Sequence, residues 1–168
     1  MELITPDGQR LLSNPMGLSF RDASGKNVLI AEVTNCIGEL VAPNVIVYPS
    51  AFDTLKAGIR YTYTKSGFSQ DIIFYQNPGS PSDYGLDPAT TVLEMYTEFF
   101  SPPAPAIQSG SDNDQTLTFG KMQMARGAAY LPDQNLEEIP VIKTWVRDSA
   151  APIPDRGRAL RTDQVPTG

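Results

Sequence analysis

Two carboxylates and an amide follow one another in the stretch SDNDQT, as Asp112, Asn113 and Asp114. Oxygen ligands of this kind are the set that Ca²⁺ prefers, so these three residues form the candidate metal site. The match to an EF-hand loop is incomplete, because the glycine of its sharp turn is missing and Gln123 stands where a bidentate glutamate would close it. A solvated loop is the alternative interpretation. The sequence suggests no cofactor other than calcium.

Two further carboxylates, Asp71 and Glu94, are the candidate catalytic bases. If Glu94 lies on a strand, Glu98 shares its face roughly 13 Å away, too far for the carboxylate pair of a glycosidase. A carbonyl polarised by calcium and attacked by a carboxylate-activated water would still suffice for a reactive substrate. This gives one alternative function, a hydrolase of activated esters or lactones that works without histidine.

The absence of histidine closes most familiar enzyme classes to this chain. The 168 residues contain no histidine and a single cysteine, Cys36. Catalysis by Ser-His-Asp or Cys-His groups, histidine zinc sites and thiolate zinc sites therefore lack their residues. The sequence also has no GxGxxG, Walker-type or GxSxG motif. Cys36 has no partner for an intrachain disulfide, and we interpret it as a small buried apolar residue.

Charge and hydropathy limit the partners. The net charge of −6 argues against binding to a nucleic-acid backbone, which requires clustered lysine and arginine. No run of about 18 apolar residues is present, so no membrane span is predicted. The first residues, MELITPDGQRLL, lack the basic and apolar regions of a signal peptide. We expect either a cytoplasmic protein or an internal piece of a longer secreted chain.

Nine segments have the composition of β-strands: they are short, rich in Val, Ile, Thr, Tyr and Phe, and bounded by turn-forming residues. They are Gly17–Phe20, Val28–Val33, Gly38–Val41, Val45–Tyr48, Ile59–Thr64, Phe68–Tyr75, Val92–Phe100, Thr116–Met124 and Pro140–Val146. The 15 prolines and 13 glycines also suit short strands better than long helices. The sequence thus predicts an all-β fold, an antiparallel β-sandwich or flattened barrel of about nine strands.

The domain organisation follows from where this pattern stops. Residues 1–147 are predicted to form a single β-rich domain, and residues 148–168 a tail or linker that is loosely packed, because its apolar residues have no period. Ser101–Gln115, rich in Pro, Ser and Asp, is predicted to be a mobile loop. For Val92–Phe100 a helix competes with a strand. The strand is favoured because alternation places Glu94 and Glu98 on the face opposite Met95.

The segment RYTYTKSGFSQDIIFYQN, Arg60–Asn77, alternates on both sides of a turn. A two-residue turn at Ser66–Gly67 would pair Tyr63 with Gln70 and place the aromatic side chains on one face. We expect this aromatic row to be the buried face of the sheet, with a ligand-stacking platform as the alternative.

Several stretches together resemble a known family: GLSFRDASGKNVLIAEVTNCIGEL, VIVYPSAFDTLKAGIRYTYTKSGFSQDIIF, YGLDPATTVLEMYTEFFSPPAP, TLTFGKMQMARGAAYL and IPVIKTWV. From Gly17 to Val146 the chain is similar to uncharacterised β-rich modules in the N-terminal part of large secreted or cell-surface proteins of soil bacteria. That family has no known catalytic residues. Its K-W motif continues into a glycine turn and an apolar strand, whereas Lys143 and Trp145 here lead into RDSAAPIPDRGRALRTDQVPTG. This departure suggests a piece of a longer protein.

The resemblance and the missing catalytic residues favour a non-catalytic structural or interaction module of a larger bacterial surface or secreted protein. Its expected location is extracellular or at the cell surface, and its expected partners are other domains of the parent protein. An exposed sheet edge would also allow oligomers. Besides the hydrolase, the second alternative is a carbohydrate-binding module that uses exposed aromatic residues such as Tyr75, Tyr84 or Tyr96.

Overall fold

Antiparallel strands dominate the computed structural model, which describes residues 1–130, 138–148 and 158–166. Those ranges contain fourteen strands and, as their one helical element, a 3₁₀ turn at Pro81–Tyr84. The strands are β1 Glu2–Ile4, β2 Arg10–Arg21, β3 Asn27–Glu32, β4 Glu39–Ala42, β5 Val45–Tyr48, β6 Ala57–Thr64, β7 Gly67–Phe74, β8 Val92–Phe100, β9 Ala106–Ser109, β10 Gln115–Phe119, β11 Met122–Met124, β12 Gly127–Tyr130, β13 Glu138–Asp148 and β14 Arg158–Pro166. The predicted all-β class is confirmed.

The strands form three curled antiparallel sheets in a half-barrel, sandwich-like arrangement, as the sequence predicted. The seven-stranded sheet has the order β1-β2-β8-β14-β13-β12, and β3 pairs with the second half of β2. The four-stranded sheet has the order β4-β5-β6-β7, and the three-stranded sheet has the order β11-β10-β9.

Two hydrophobic clusters hold the small sheets against the large one. Around Leu18 and Met95, the loop residue Phe52 and Ile59 of β6 bring in the four-stranded sheet. The second cluster brings in the three-stranded sheet, and its buried members are Leu11, Phe99, Leu117, Phe119 and Trp145. The pairing of β2 with β8 places both clusters on the same face of the large sheet. The side chains that alternate with them, including Glu94, therefore lie on the opposite face.

Eight of the nine predicted strands each coincide with one strand of the structure, whereas the ninth and one predicted loop differ. Thr116–Met124 is not one strand but the hairpin of β10 and β11, which turns at Gly120 with a φ of +54°. The predicted mobile loop Ser101–Gln115 contains β9, whose four residues are all exposed and therefore give no alternation to detect. Cys36 is half-buried and packs against the first cluster.

The C-terminal segment contributes a strand. Residues 149–157 and 167–168 lie outside the described residues, but Arg158–Pro166 forms β14 between β8 and β13. The boundary predicted after residue 147 also falls inside β13. Backbone pairing on both sides of β14 does not depend on an apolar period. The division into a domain at residues 1–147 and a tail or linker at residues 148–168 stays a prediction.

The β6–β7 hairpin has the predicted two-residue turn, but at Lys65–Ser66, so that Tyr63 pairs with Phe68 instead of Gln70. A register shift of two residues keeps every side chain on its face, so face composition could not discriminate between these registers. The turn is closed by the Thr64 hydroxyl, which accepts from the Gly67 amide at 3.1 Å.

The aromatic row of this hairpin is only partly buried. Ile59 is in the core, and Tyr61 and Phe68 are half-buried and stacked with ring centroids 5.6 Å apart. Tyr63, nearest the turn, is 63% exposed. The prediction of a buried row is correct for Ile59 and wrong for Tyr63 at the tip and for Phe74, which lies at the other end and is 37% exposed.

Candidate functional site

The candidate calcium residues occupy the turn between β9 and β10. Asp112 forms an ion pair with Arg126, with 2.8 Å between Oδ2 and Nη1, and its Oδ1 accepts from the Asp114 amide at 3.3 Å. Asn113 takes a left-handed conformation with a φ of +65°. In this arrangement the Asp112 carboxylate shapes the turn and pairs with an arginine.

Asp114 is buried and faces Lys143, which is also buried. Oδ1 of Asp114 accepts from the Lys143 backbone amide at 2.8 Å and lies 3.4 Å from Lys143 Nζ. Nζ also donates to the Gln115 carbonyl at 2.5 Å, and the Trp145 amide donates to Gln115 Oε1 at 2.7 Å. These contacts attach the three-stranded sheet to β13, so the turn has a clear structural role.

Within the described ranges, no three Asp, Glu, Cys or His side chains come together as metal ligands. Calcium binding at Asp112, Asn113 and Asp114 stays a prediction.

The two candidate bases, Asp71 and Glu94, lie in different sheets. Asp71 is on β7, directly opposite Arg60 on β6, and accepts from Arg60 Nε at 2.9 Å. Both side chains of this pair are well exposed. The structure therefore does not combine Asp71 and Glu94 in one site, and Asp71 forms an ordinary cross-strand ion pair.

Glu94 is fully buried although it lies on the face opposite both hydrophobic clusters. Five donor atoms surround its carboxylate: Arg21 Nε and Nη2 and Gln164 Nε2 at Oε1, and Asn27 Nδ2 and the Tyr96 hydroxyl at Oε2. The distances to Oε1 are 2.7, 2.6 and 2.6 Å in that order, and Asn27 Nδ2 lies 3.2 Å from Oε2. We call Glu94 and the four residues that supply these donors the Glu94 cluster; the four are Arg21, Asn27, Tyr96 and Gln164.

Strand pairing assembles the Glu94 cluster. Gln164 of β14 is directly opposite Glu94, and Tyr96 is two residues further along the same face of β8. Arg21 ends β2 beside the start of β8, and Asn27 begins β3 opposite Arg21. The cluster therefore ties together four adjacent strands of the seven-stranded sheet.

The hydrogen bonds of the cluster determine what Glu94 can do. A carboxylate offers about four lone-pair positions. Four hydrogen bonds occupy them, and Arg21 Nη2 adds an ion-pair contact. A general base needs a free lone pair within reach of the substrate proton. The geometry thus favours an orienting role for Glu94, in which it fixes the donors around it.

Two pKa values reflect this environment. The hydrogen bond to Glu94 raises the pKa of the Arg21 guanidinium above its ordinary value. Burial, followed by the hydrogen bond to Glu94, raises the pKa of the Tyr96 phenol. Both groups therefore stay protonated at neutral pH and act as donors.

A surface pocket of about 380 Å³ lies beside the cluster. The β2–β3 turn, Arg21, the start of β8 and Gln164 line it, and we call it the turn pocket. Residues Asp22–Gly25 form one wall. The Arg21 side chain, 41% exposed, connects the buried Glu94 carboxylate to this pocket.

The three aromatic residues considered for carbohydrate binding have different surroundings. Tyr75 is exposed. Tyr84 packs edge-on against Phe20 with ring centroids 5.4 Å apart, and the Tyr96 hydroxyl belongs to the Glu94 cluster. The structure does not bring these three rings into one stacking surface.

Sequence reasoning identified Glu94 but not the residues that surround it. Arg21, Asn27 and Gln164 are 73, 67 and 70 residues away along the chain. One signal in the sequence indicated that such partners exist, namely a glutamate in the middle of a predicted strand rich in apolar residues. A carboxylate buried there needs hydrogen-bonded or charged partners, but the signal does not say which residues they are.

Comparisons with known protein families, with curated proteins and with solved structures each found no match to this chain. In the part of the chain that the structure describes, no helix has the length and apolar content needed to cross a membrane.

Proposed function

We propose that this chain is a non-catalytic interaction module of a larger bacterial surface or secreted protein, and that it contacts neighbouring β-structured domains through the outer edge of β4. The observation that carries this proposal is the exposure of three aliphatic side chains within five residues. Ile37 is 86% exposed, Leu40 70% and Val41 58%.

The position of β4 makes its backbone accessible. Among the described strands β4 pairs only with β5, on one side, so its other side presents unpaired N–H and C=O groups. A register shift between Leu40 and Ala42 marks a bulge at Val41. Gly38 fixes the entry to the strand, because an added Cβ would lie 2.7 Å from the Tyr48 ring.

Edge strands are usually protected by charged side chains, proline, shortness or a bulge. β4 is four residues long, is bulged and begins with Glu39, which limits uncontrolled association. Its exposed aliphatic residues nevertheless favour contact with a partner, since contiguous apolar patches on soluble proteins mark interaction sites. Strand addition combines both features, with backbone pairing for affinity and side-chain contacts for selectivity.

The partner to which we commit is an exposed strand edge of another β domain, and a second copy of this chain supplies such an edge. Sedimentation velocity from about 1 μM to about 1 mM should therefore show reversible, concentration-dependent association. The double variant Leu40→Lys/Val41→Lys should remain monomeric over this range. A chain that is monomeric throughout would contradict the proposal.

A matched control separates β4 from general surface hydrophobicity. Leu12 and Val146 are also exposed apolar residues, and they lie on strands of the seven-stranded sheet. Leu12→Lys/Val146→Lys adds the same charge and removes a similar apolar area, but it should leave the association constant unchanged. Equal loss of association in both double variants would contradict a role for β4.

A further inference from the structure

The turn pocket contains an arginine that is held in one orientation. Arg21 Nε and Nη2 both bind Oε1 of the fully buried Glu94, at 2.7 and 2.6 Å. Gln164 binds the same oxygen and holds the carboxylate in place. Among the described residues, Arg21 Nη1 has no hydrogen-bond partner. An oriented guanidinium of this kind loses little side-chain entropy when it binds a ligand.

The adjacent residue supplies an acceptor that is equally well fixed. Oδ1 of Asp22 accepts from the Ser24 amide at 2.9 Å, the Ser24 hydroxyl at 2.5 Å and the Lys26 amide at 3.1 Å. Oδ2 has no hydrogen-bond partner within the described part of the chain. The Ser24 hydroxyl bond lowers the pKa of Asp22, so the carboxylate is ionised at neutral pH.

The charges around the pocket nearly cancel. Glu94 offsets Arg21, and Lys26, whose Nζ donates to the Gly85 carbonyl at 2.9 Å, lies close enough to Asp22 to offset its charge in part. With Arg21 and Lys26 opposite Glu94 and Asp22, the pocket has no net charge that would favour a simple anion or a simple cation. The arrangement suits a neutral ligand whose groups both donate and accept hydrogen bonds.

We propose that the turn pocket binds a neutral carbohydrate unit, with neighbouring hydroxyl groups accepting from Arg21 and donating to Asp22. A hydroxyl group has one donor and two acceptor positions, so a vicinal diol carries the groups needed to accept from Arg21 and to donate to Asp22, which both line the pocket. Ligand pockets commonly measure about 300–1,000 Å³, and this one, at about 380 Å³, accommodates a single sugar ring. This site is separate from the β4 edge and goes beyond the proposed function.

The test is a ¹H–¹⁵N NMR titration of the full chain. The probes are the methyl glycosides of glucose, galactose, mannose and N-acetylglucosamine, with inorganic phosphate and acetate as anionic comparisons. At least one glycoside should shift the amide signals of Ser24 and Gly25 and the Nε–H signal of Arg21 in a saturable manner. No saturable shift with any glycoside, or shifts of equal size with phosphate or acetate, would overturn the proposal.

Two variants locate the binding and avoid disturbing the buried Glu94. Ala23→Trp places a bulky side chain at the pocket wall and should abolish the saturable shifts, whereas Ala104→Trp, at an exposed residue outside the lining, should retain them. Asp22→Asn keeps the shape and the turn-forming acceptor but loses the charge, and should weaken binding about tenfold. Unchanged affinity in Ala23→Trp would show that the glycoside binds elsewhere and would overturn the assignment.

Discussion

Arg21 Nη2 lies 2.6 Å from Oε1 of Glu94, and this ion pair joins the end of β2 to the start of β8. Glu94 is fully buried, whereas Arg21 remains 41% exposed. The pair therefore has one desolvated member and one member in contact with solvent. Replacing Arg21 and replacing Glu94 should therefore have different effects on the free energy of unfolding, because an uncompensated buried charge costs far more than an uncompensated exposed one.

Arg21→Met should destabilise the fold by about 3 kcal/mol, because it leaves Glu94 buried with neutral donors only. The matched control is Arg60→Met, which breaks the exposed pair with Asp71 and should cost less than about 1 kcal/mol. Urea unfolding gives both values. Similar losses in the two variants would contradict the importance assigned to the burial of Glu94.

Lys143→Met should destabilise by about 3–5 kcal/mol, since it leaves the buried Asp114 carboxylate without its cation. Trp145, the single tryptophan, packs on Phe99 and Phe119 and reports unfolding of this region by fluorescence. Adding Asp114→Asn removes the unpaired charge and should restore part of the loss. A double variant no more stable than Lys143→Met would count against a buried ion pair.

Gly120→Ala should destabilise more than Gly8→Ala. Both glycines have positive φ, +54° and +85°, where an L side chain costs about 1–2 kcal/mol. An added Cβ at Gly8 meets no atom within 4 Å, whereas at Gly120 it overlaps the Asp7 carboxylate. The extra loss, measured by urea unfolding, should disappear in an Asp7→Ala background. An extra loss that persists in the Asp7→Ala background would contradict the close contact between the Asp7 carboxylate and the β10–β11 turn.

Asp53 should contribute to the acid sensitivity of the fold. Its Oδ1 accepts from the amides of Glu32 and Thr54, at 2.9 and 2.7 Å, and from the Thr54 hydroxyl at 3.1 Å. The Glu32 amide is the main cause of a lowered pKa for Asp53. A depressed carboxyl pKa stabilises the folded state above the ordinary aspartate value, about 3.9, and this contribution is lost as pH falls through the folded-state value.

Asp53→Asn should therefore be less stable than wild type at pH near 7, and the difference should narrow as the pH is lowered below about 4. Urea midpoints at both ends of this range measure it. A difference that is independent of pH would show that Asp53 acts through shape and not through its charge.

The sequence predicted those features that depend on local alternation. Val92–Phe100 is a strand because Met95, Thr97 and Phe99 alternate with polar residues, and all three are buried on one face. The distant partners of Glu94 on the other face could not be predicted, because Arg21, Asn27 and Gln164 come from β2, β3 and β14. Pairing between distant strands leaves no trace in a local pattern.

The C-terminal strand was missed for a related reason. Its sequence, RALRTDQVP, has no apolar alternation, but β14 pairs with β8 and β13 along its length. The candidate calcium residues show the reverse case, in which local composition suggested a ligand set. In the structure Asp114 pairs with Lys143, which lies 29 residues further along the chain, and calcium binding at this turn stays a prediction.

The central claim, contact through the outer edge of β4, is tested most directly by hydrogen exchange of the β4 amides at low and high protein concentration. Strand addition protects edge amides that are otherwise exposed to solvent. The amides of Glu39–Ala42 that do not pair with β5 should exchange more slowly at high concentration, and Leu40→Lys/Val41→Lys should abolish that change. Exchange in β4 that is the same at all concentrations, or protection confined to other strands, would contradict the account.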